Sequence, residues 1–366
     1  MKVAFLSDTH IGERRFRKEA LDNATKVIEA AKVANIIFHC GDFFDTRYPK
    51  PEVVAEIARE LKRIGKKVYA IYGNHERVPR DSLTELQLLA ELGVVEFLKS
   101  GRNVIEHSGM KIVVYALNNV PEDLAKAALE EVLRGAKCDG DLNILLLHQD
   151  IKEFVMSDTE GAIELADLEG LCFDLIVSGH IHQHRKALGG KLVVTGSTIA
   201  TQLKKEDEGP KGFVLYDTEK KQWEFIDPGL RKFQLVELEF EEATENDVFE
   251  KVAEKMALID EGALVRIKLE GTLRKGEDGA KIVARIARQW PFVYEIDSRL
   301  TFPDIKEKIQ LIRKGREGGG IAEGIEGVVS RNAEKAGFAY DSRKAFEKAT
   351  ESSDELVKYV KEEEGL

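Results

Sequence analysis

The segment Val68-Tyr69-Ala70-Ile71-Tyr72-Gly73-Asn74-His75-Glu76 decides how this chain is read. Its first five residues are apolar or aromatic and predict a buried strand. The strand stops at a glycine and delivers an amide, an imidazole and a carboxylate. Four further segments repeat the pattern. Lys2–Leu6 precedes Asp8-Thr9-His10, and Ile36–Phe38 precedes Gly41-Asp42. Ile144–Leu147 precedes His148-Gln149, and Leu175–Val177 precedes Gly179-His180-Ile181-His182. In a sheet of such strands the loops leaving the carboxyl ends converge on one rim, where α/β folds hold ligands. Side chains far apart in sequence thereby become one cluster.

A single histidine at a strand end is most often structural, and so is an isolated Asp-x-His. Five such segments, each at the end of a strand, point instead to metal. Carboxylate, amide oxygen and imidazole together form a hard–borderline donor set. That set suits manganese or iron better than calcium, which prefers oxygen throughout. One carboxylate can bridge two ions about 3.5–4 Å apart, as in two-metal phosphoesterases.

The rest of the composition agrees with an intracellular enzyme. A chain of 366 residues is expected to hold two or three domains and to bury a full core. Cys40, Cys138 and Cys172 show neither paired nor metal-type spacing, so no disulfide framework and no zinc knuckle are expected. Asp8 and His10 end the first apolar run well short of a signal peptide, and no stretch has transmembrane length. The net charge of −11 argues against a general DNA coat, because phosphate neutralisation calls for a basic protein. It leaves room for a nuclease that grips through local patches or through its metals.

From Lys2 to about Asp227, strand-like and helix-like segments alternate. Helices are predicted over Arg17–Val33, Pro51–Ile64, Ser82–Leu92 and Glu122–Leu133, the last opened by Pro121. Strands Lys111–Tyr115 and Lys191–Thr195 join those already named, and Gly212–Tyr216 with Gln222–Ile226 reads as a hairpin turning near Thr218–Lys221. The early strands alternate with helices and the later ones do not. The expected fold is therefore an α/β protein with a two-sheet α/β/β/α sandwich core, not one doubly wound sheet. After Pro228-Gly229, residues 233–300 read as a small βαβαβ capping domain. Its segments are Phe233–Phe240, Glu245–Leu258, Leu264–Leu269, Asp278–Trp290 and Val293–Ile296. Residues 304–366 read as a helical tail around a glycine-rich linker, Gly315–Gly327.

The five segments resemble the signature of the calcineurin-like metallophosphoesterases. Residues 1 to about 228 are similar to one branch of them, the double-strand-break repair nucleases of the SbcD and meiotic-recombination-eleven kind. Three features carry the branch: Gly41-Asp42-Phe43-Phe44-Asp45-Thr46 followed by Pro49, the Ser82–Val94 helix and turn, and the Gly196–Thr201 loop followed by Gly212-Phe213-Val214-Leu215. Two positions depart from the pattern. Asp45 stands where many members have His, and Asp150 where Gly is usual.

The resemblance implies a division of labour. Asp8, His10 and His182 hold a first ion, Asn74, His148 and His180 complete a second, and Asp42 bridges them. His75 acts on the substrate, stabilising phosphate charge or protonating the leaving oxygen, and a hydroxide held between the ions attacks. The implied activity is manganese-dependent DNA exonuclease or endonuclease cleavage in double-strand-break repair, with two manganese ions per chain. The implied partners are single- and double-stranded DNA ends, a second copy of the chain, and an SbcC-like coiled-coil ATPase docked on the tail. Ile305, Ile309 and Ile312, with Leu356, Val357 and Val360, form the tail's apolar stripes.

Arg14, Arg15, Arg17 and Lys18, Arg47, and Arg77 and Arg80 follow three of the metal loops and are the candidate DNA contacts. Basic residues of the small domain, among them Lys268 and Arg285, are mixed with acids and are weaker candidates. Trp290-Pro291-Phe292 reads as a packed corner more simply than as a base-stacking platform. His39 is expected to be buried in its strand, and His184 to lie on the rim. Two other classes compete with the nuclease: a phosphodiesterase or phosphatase for small substrates on the same fold, and a non-catalytic scaffold. The appended segments count against the first, and the filled ligand positions against the second.

Overall fold

The computed structural model describes residues 1–78, 82–155 and 159–301, so Arg80 and the tail from residue 304 lie outside the described residues. The described chain divides into two units. The first is Met1–Val236 with Leu258–Arg266 and Phe292–Glu295. The second is Glu237–Ala257, Ile267–Pro291 and Ile296–Leu366, of which the described part ends at Thr301.

The first unit is built on two six-stranded sheets. β1 (Lys2–Leu6), β2 (Ile36–Cys40), β3 (Val68–Ile71) and β4 (Glu96–Phe97) run parallel to one another. The second sheet takes β5 (Gly101–His107), β6 (Met110–Leu117), β7 (Leu142–Leu147), β8 (Leu175–Ser178), β9 (Arg185–Ala187) and β10 (Leu192–Val194) in the order β5-β6-β7-β8-β10-β9. Within it β6, β7, β8 and β10 are parallel, and β5 and β9 are antiparallel edges. The hairpin of β11 (Phe213–Asp217) and β12 (Gln222–Ile226) closes the first sheet beside β1. Its turn falls at the expected residues.

Strand alternation divides the core. Val3 and Phe5 of β1, Ile36 and Phe38 of β2, and Ile144, Leu146 and Val177 of the second sheet are buried in one cluster between the sheets. Phe5 and Phe38 are register partners whose rings stack at 5.3 Å. Ala4 and Leu6 point the other way and pack with α1 (Arg17–Ala31), α2 (Pro51–Ile64) and α3 (Glu85–Glu91). Leu145, Leu147 and Ile176 pack on the far side with α4 (Ala125–Leu133). The layers are α/β/β/α, as the sequence predicts. Two single-turn helices, α5 (Lys152–Val155) and α6 (Leu165–Leu168), sit in the loop between β7 and β8.

Local chemistry sets the helix bounds. Pro51 opens α2 at its first turn, and Gly65 closes it in the left-handed region at φ 67°. α3 begins at Glu85, later than the expected Ser82, because Thr84 caps it. Thr84 Oγ1 accepts from Gln87 N at 3.0 Å and Gln87 Oε1 accepts from Thr84 N at 2.8 Å. Pro121 leads first into a 3₁₀ turn, Glu122–Leu124, and only then into α4.

The cysteine expectation is corrected. Cys138 and Cys172 form a disulfide with Cα atoms 6.1 Å apart, which joins the segments entering β7 and β8; Cys40 stays free and buried.

The second unit carries the larger part of a three-stranded sheet of β13 (Phe233–Ala243), β14 (Leu264–Leu273) and β15 (Glu295–Thr301), with α7 (Glu245–Met256) and α8 (Gly279–Gln289). Each helix buries one face, Val248, Val252 and Met256 on α7 and Ile282 and Ile286 on α8. Trp290 stacks on Phe249 at 5.3 Å, with the Arg285 guanidinium 3.9 Å from the centre of the Phe249 ring. Lys268 and Arg285 pair with Glu237 and Glu245, so these cations already have acidic partners.

Candidate metal centre

All five loops named from the sequence leave carboxyl ends of parallel strands: β1, β2 and β3 in one sheet, β7 and β8 in the other. Loops from both sheets therefore meet at one rim, forming a trough with candidate ligands from each sheet. Asp8, His10, Asp42 and His180 adopt positive φ, at 52°, 43°, 50° and 75°. Non-glycine residues in that region carry strain that surrounding structure must hold in place, and such residues collect at functional sites. The flanking glycines make room for the walls to meet. A Cβ on Gly73 would lie 2.1 Å from Asp42 Oδ1, and one on Gly41 would lie 2.2 Å from His148 Nδ1.

The structure gathers the predicted ligands into two groups. Asp8, His10 and His182 offer one ligand atom each, all within 4.8 Å of one another, and so do Asp42, His148 and His180. His10 Nε2 and His182 Nε2 face each other at 3.1 Å, with Asp8 Oδ1 3.9 and 3.7 Å away. Asp42 Oδ2 lies 3.9 Å from His10 Nε2 and 3.5 Å from His148 Nε2, between the groups. Asn74 Oδ1 lies 3.2 Å from His148 Nε2. Asp8 Oδ1 is buried and has no hydrogen-bond partner. A buried anionic oxygen without a donor is costly, and a cation at this point removes the cost. The residues present thus fit a pair of divalent ions.

Burial and charge oppose each other here. Burial disfavours the cation on His148, but Asp42 outweighs it and lifts the ring to about 9. His10 is raised too, with Asp45, Asp42 and Asp8 overcoming burial. Burial works against the Asp42 anion as well, yet His148, His10 and His75 hold its pKa far below the ordinary carboxylate range. These opposed shifts come from buried carboxylates and imidazoles lying close together.

His75 stands apart. Its side chain is 36% exposed where that of His10 is 2% exposed, so a substrate can reach it. Its Nδ1 lies 2.5 Å from the Asp45 carbonyl, and its Nε2 faces Asp42 Oδ2 at 3.9 Å. Asp45, given no role from the sequence, also sets its carboxylate 3.3 Å from His10 Nδ1. The other departure, Asp150, places Oδ1 3.1 Å from His180 Nε2. Glu76 is fully buried and accepts from Phe44 N and Gly73 N, tying the loops after β2 and β3 together. Sequence alone marks Asp45 and Asp150 as departures; their placement against His10 and His180 depends on the fold. His39 is buried in β2, and His184 is half-buried against Phe225.

The candidate DNA contacts separate. Arg15 is held by Glu13 and by the Thr201 carbonyl, Arg17 pairs with Glu56, and Arg77 donates to Asn119. Lys18 pairs with Asp22. Arg14 and Arg47 are exposed. Arg14, Arg17, Thr46, Tyr48 and Lys50 line a cavity of about 240 Å³ near the first two metal loops.

Residues 1–184 match the family model of the calcineurin-like phosphoesterases, and the chain belongs to that family. Within it, the similarity runs to proteins named DNA double-strand break repair protein Mre11. The one from Sulfurisphaera tokodaii is 29% identical over 235 residues, 59% of this chain and 59% of its own length. That from Sulfolobus acidocaldarius is 26% identical, covering 75% of this chain and 76% of that one. For Archaeoglobus fulgidus the values are 27%, 74% and 69%. The chain thus spans little more than half of the first relative and about seven-tenths or more of the other two.

Proposed function

We propose that this chain is a metal-dependent DNA nuclease of double-strand-break repair, with two manganese ions held by Asp8, His10, Asp42, Asn74, His148, His180 and His182. The observation that carries this is the pair of donor groups meeting at Asp42, beside an Asp8 oxygen that is buried without a partner. The names of the similar proteins supply the substrate. When bound, two cations lower the pKa of water and neutralise charge on a phosphodiester. The mixed nitrogen and oxygen donors favour manganese over magnesium.

The chain's own residues do the rest. Asp8 and Asp42 supply the anionic oxygens, and the imidazoles fix their separation. His75 donates Nδ1–H to the Asp45 carbonyl, which turns Nε2 toward the trough. There it can hold the proton for the departing oxygen. With a net charge of −11, DNA must be gripped locally, and the cavity lined by Arg14, Arg17 and Lys50 is the place for a phosphate. Pairing with a second copy, docking of an SbcC-like ATPase on residues 304–366, and a cytoplasmic location complete the proposal. No helix among the described residues is long and apolar enough to cross a membrane.

The test is cleavage of single- and double-stranded DNA with manganese, magnesium and chelator in parallel, beside a chromogenic phosphodiester. Manganese-dependent loss of DNA supports the nuclease. Turnover of the chromogenic ester alone would support the small-substrate phosphodiesterase instead.

A further inference from the structure

Two charged residues that the sequence does not single out are buried behind His182. Asp207 and Lys211 are each 1% exposed. Asp207 Oδ1 lies 2.9 Å from His182 Nδ1, while His182 Nε2 faces Asp8 and His10. The other carboxylate oxygen, Oδ2, accepts from Gln202 N at 2.7 Å and Leu203 N at 2.8 Å. The carboxylate is therefore fixed by backbone on one side and spends its other oxygen on the imidazole. Lys211 Nζ donates to Ser197 Oγ at 2.8 Å and sits 3.9 Å from Asp207 Oδ1. Ser197 in turn bonds its N–H to the His182 carbonyl at 3.1 Å. Ligand, carboxylate, lysine and serine form one closed buried unit.

We infer that Asp207 is the positioning residue of the His182 ligand, fixing its Nδ1–H tautomer and aim, and that Lys211 tempers the negative charge Asp207 brings to the centre. The inference rests on the two-ion reading of the site. A carboxylate on the far nitrogen of a ligating histidine orients the ring and makes it a stronger donor, and its loss typically lowers metal affinity 10–100-fold. A lysine buried in the same unit acts in the opposite direction, because a fixed positive charge disfavours a cation nearby. His148 has its own holder, the Cys40 carbonyl at 2.6 Å, and His10 Nδ1 lies 3.3 Å from Asp45 Oδ1. Only the ion on His182 should respond strongly to Asp207.

The opposite signs make the test. Manganese is titrated into the full-length chain and its Asp207→Ala, Asp207→Asn and Lys211→Met variants, with free ion followed by electron paramagnetic resonance and melting temperature recorded alongside. Asp207→Ala should weaken one of the two ions roughly 10–100-fold. Asp207→Asn, whose single oxygen can serve Nδ1–H or the Gln202 and Leu203 N–H groups but not both, should lose an intermediate amount. Lys211→Met should bind the same ion roughly three- to tenfold tighter. Wild-type affinity in Asp207→Ala overturns the inference. So does weaker binding in Lys211→Met, which is what a merely structural pair would give. If Asp207→Ala does not fold, the Asn and Met variants decide the sign between them. Failure of the wild-type chain itself to bind manganese would sink the two-ion reading as well, which separates the two failures.

Discussion

His10, His148 and His182 each present Nε2 to the trough and have Nδ1 close to an oxygen, of Asp45, Cys40 and Asp207 in turn. His75 Nδ1 bonds the backbone carbonyl of Asp45 and its side chain is partly exposed, so its variants should separate chemistry from metal. His75→Ala or His75→Gln should lose on the order of 10²–10⁴-fold in cleavage with both ions retained. Asp8→Ala or His180→Ala should lose an ion as well, so metal content measured beside activity checks the division. Gly73 belongs to the same scale. Its missing Cβ leaves space for Asp42, so Gly73→Ala should cost about 1–3 kcal/mol by overpacking and disturb the Asp42 carboxylate. Denaturation and metal content together would show it. Lys211 predicts a pH dependence. Burial pushes its pKa down to about 8, from the 10.5 of an ordinary lysine. Between those values the unfolded chain holds a proton that the folded chain has released, so stability rises with pH across that window. Below pH 8 the cost, about 3 kcal/mol, is fully present. Wild type should therefore gain on Lys211→Met between pH 8 and 10.5 in chemical denaturation, and a constant difference would count against it.

Elements, more than single residues, explain what could be read in the sequence. Each ligand loop was legible because a parallel strand buried on both faces is a continuous apolar run, and its end is marked by glycine or by the ligand itself. The strands not foreseen are β4, β5 and β9, all at sheet edges. β5, Gly101–His107, fully buries only Ile105 and carries Arg102, Asn103 and Glu106, so it has no apolar run to betray it. Asp207 was invisible for a related reason, since it lies 25 residues from His182 in a charged loop and only the fold joins them. The disulfide was missed because a separation of 34 residues carries no local signal. It crosses between the entrances of β7 and β8, while the proposed ligands His148 and His180 lie beyond their exits. Reduction, or Cys138→Ser, should therefore lower stability by on the order of 3–4 kcal/mol through loop entropy and leave metal affinity unchanged. A melt with and without reductant, beside a manganese titration, tests both halves. Loss of metal on reduction would show that the staple reaches the centre.

At the scale of the molecule, the metal-bearing sandwich is complete well before the chain ends. Its clusters between and outside the sheets draw on residues 3 to 230, and the seven proposed ligands lie between residues 8 and 182. The proposed docking tail begins at 304, after the last described strand. Its apolar stripes, Ile305, Ile309 and Ile312 and then Leu356, Val357 and Val360, lie on either side of the glycine-rich Gly315–Gly327. Helices of fewer than about 12–15 residues are marginal unless they pack on something. Helix-in-groove binding satisfies such a tethered stripe. Truncation after Phe302 should consequently leave two ions, manganese-dependent cleavage and the melting temperature of the sandwich in place, while binding of an SbcC-like coiled-coil ATPase in a pull-down is lost. Replacing Ile305, Ile309 and Ile312 by serine in the full-length chain should weaken that binding without removing the tail. If the truncated chain melts early, the stripes cover the protein's own core; if it still binds the ATPase, the docking surface lies among residues 1–302.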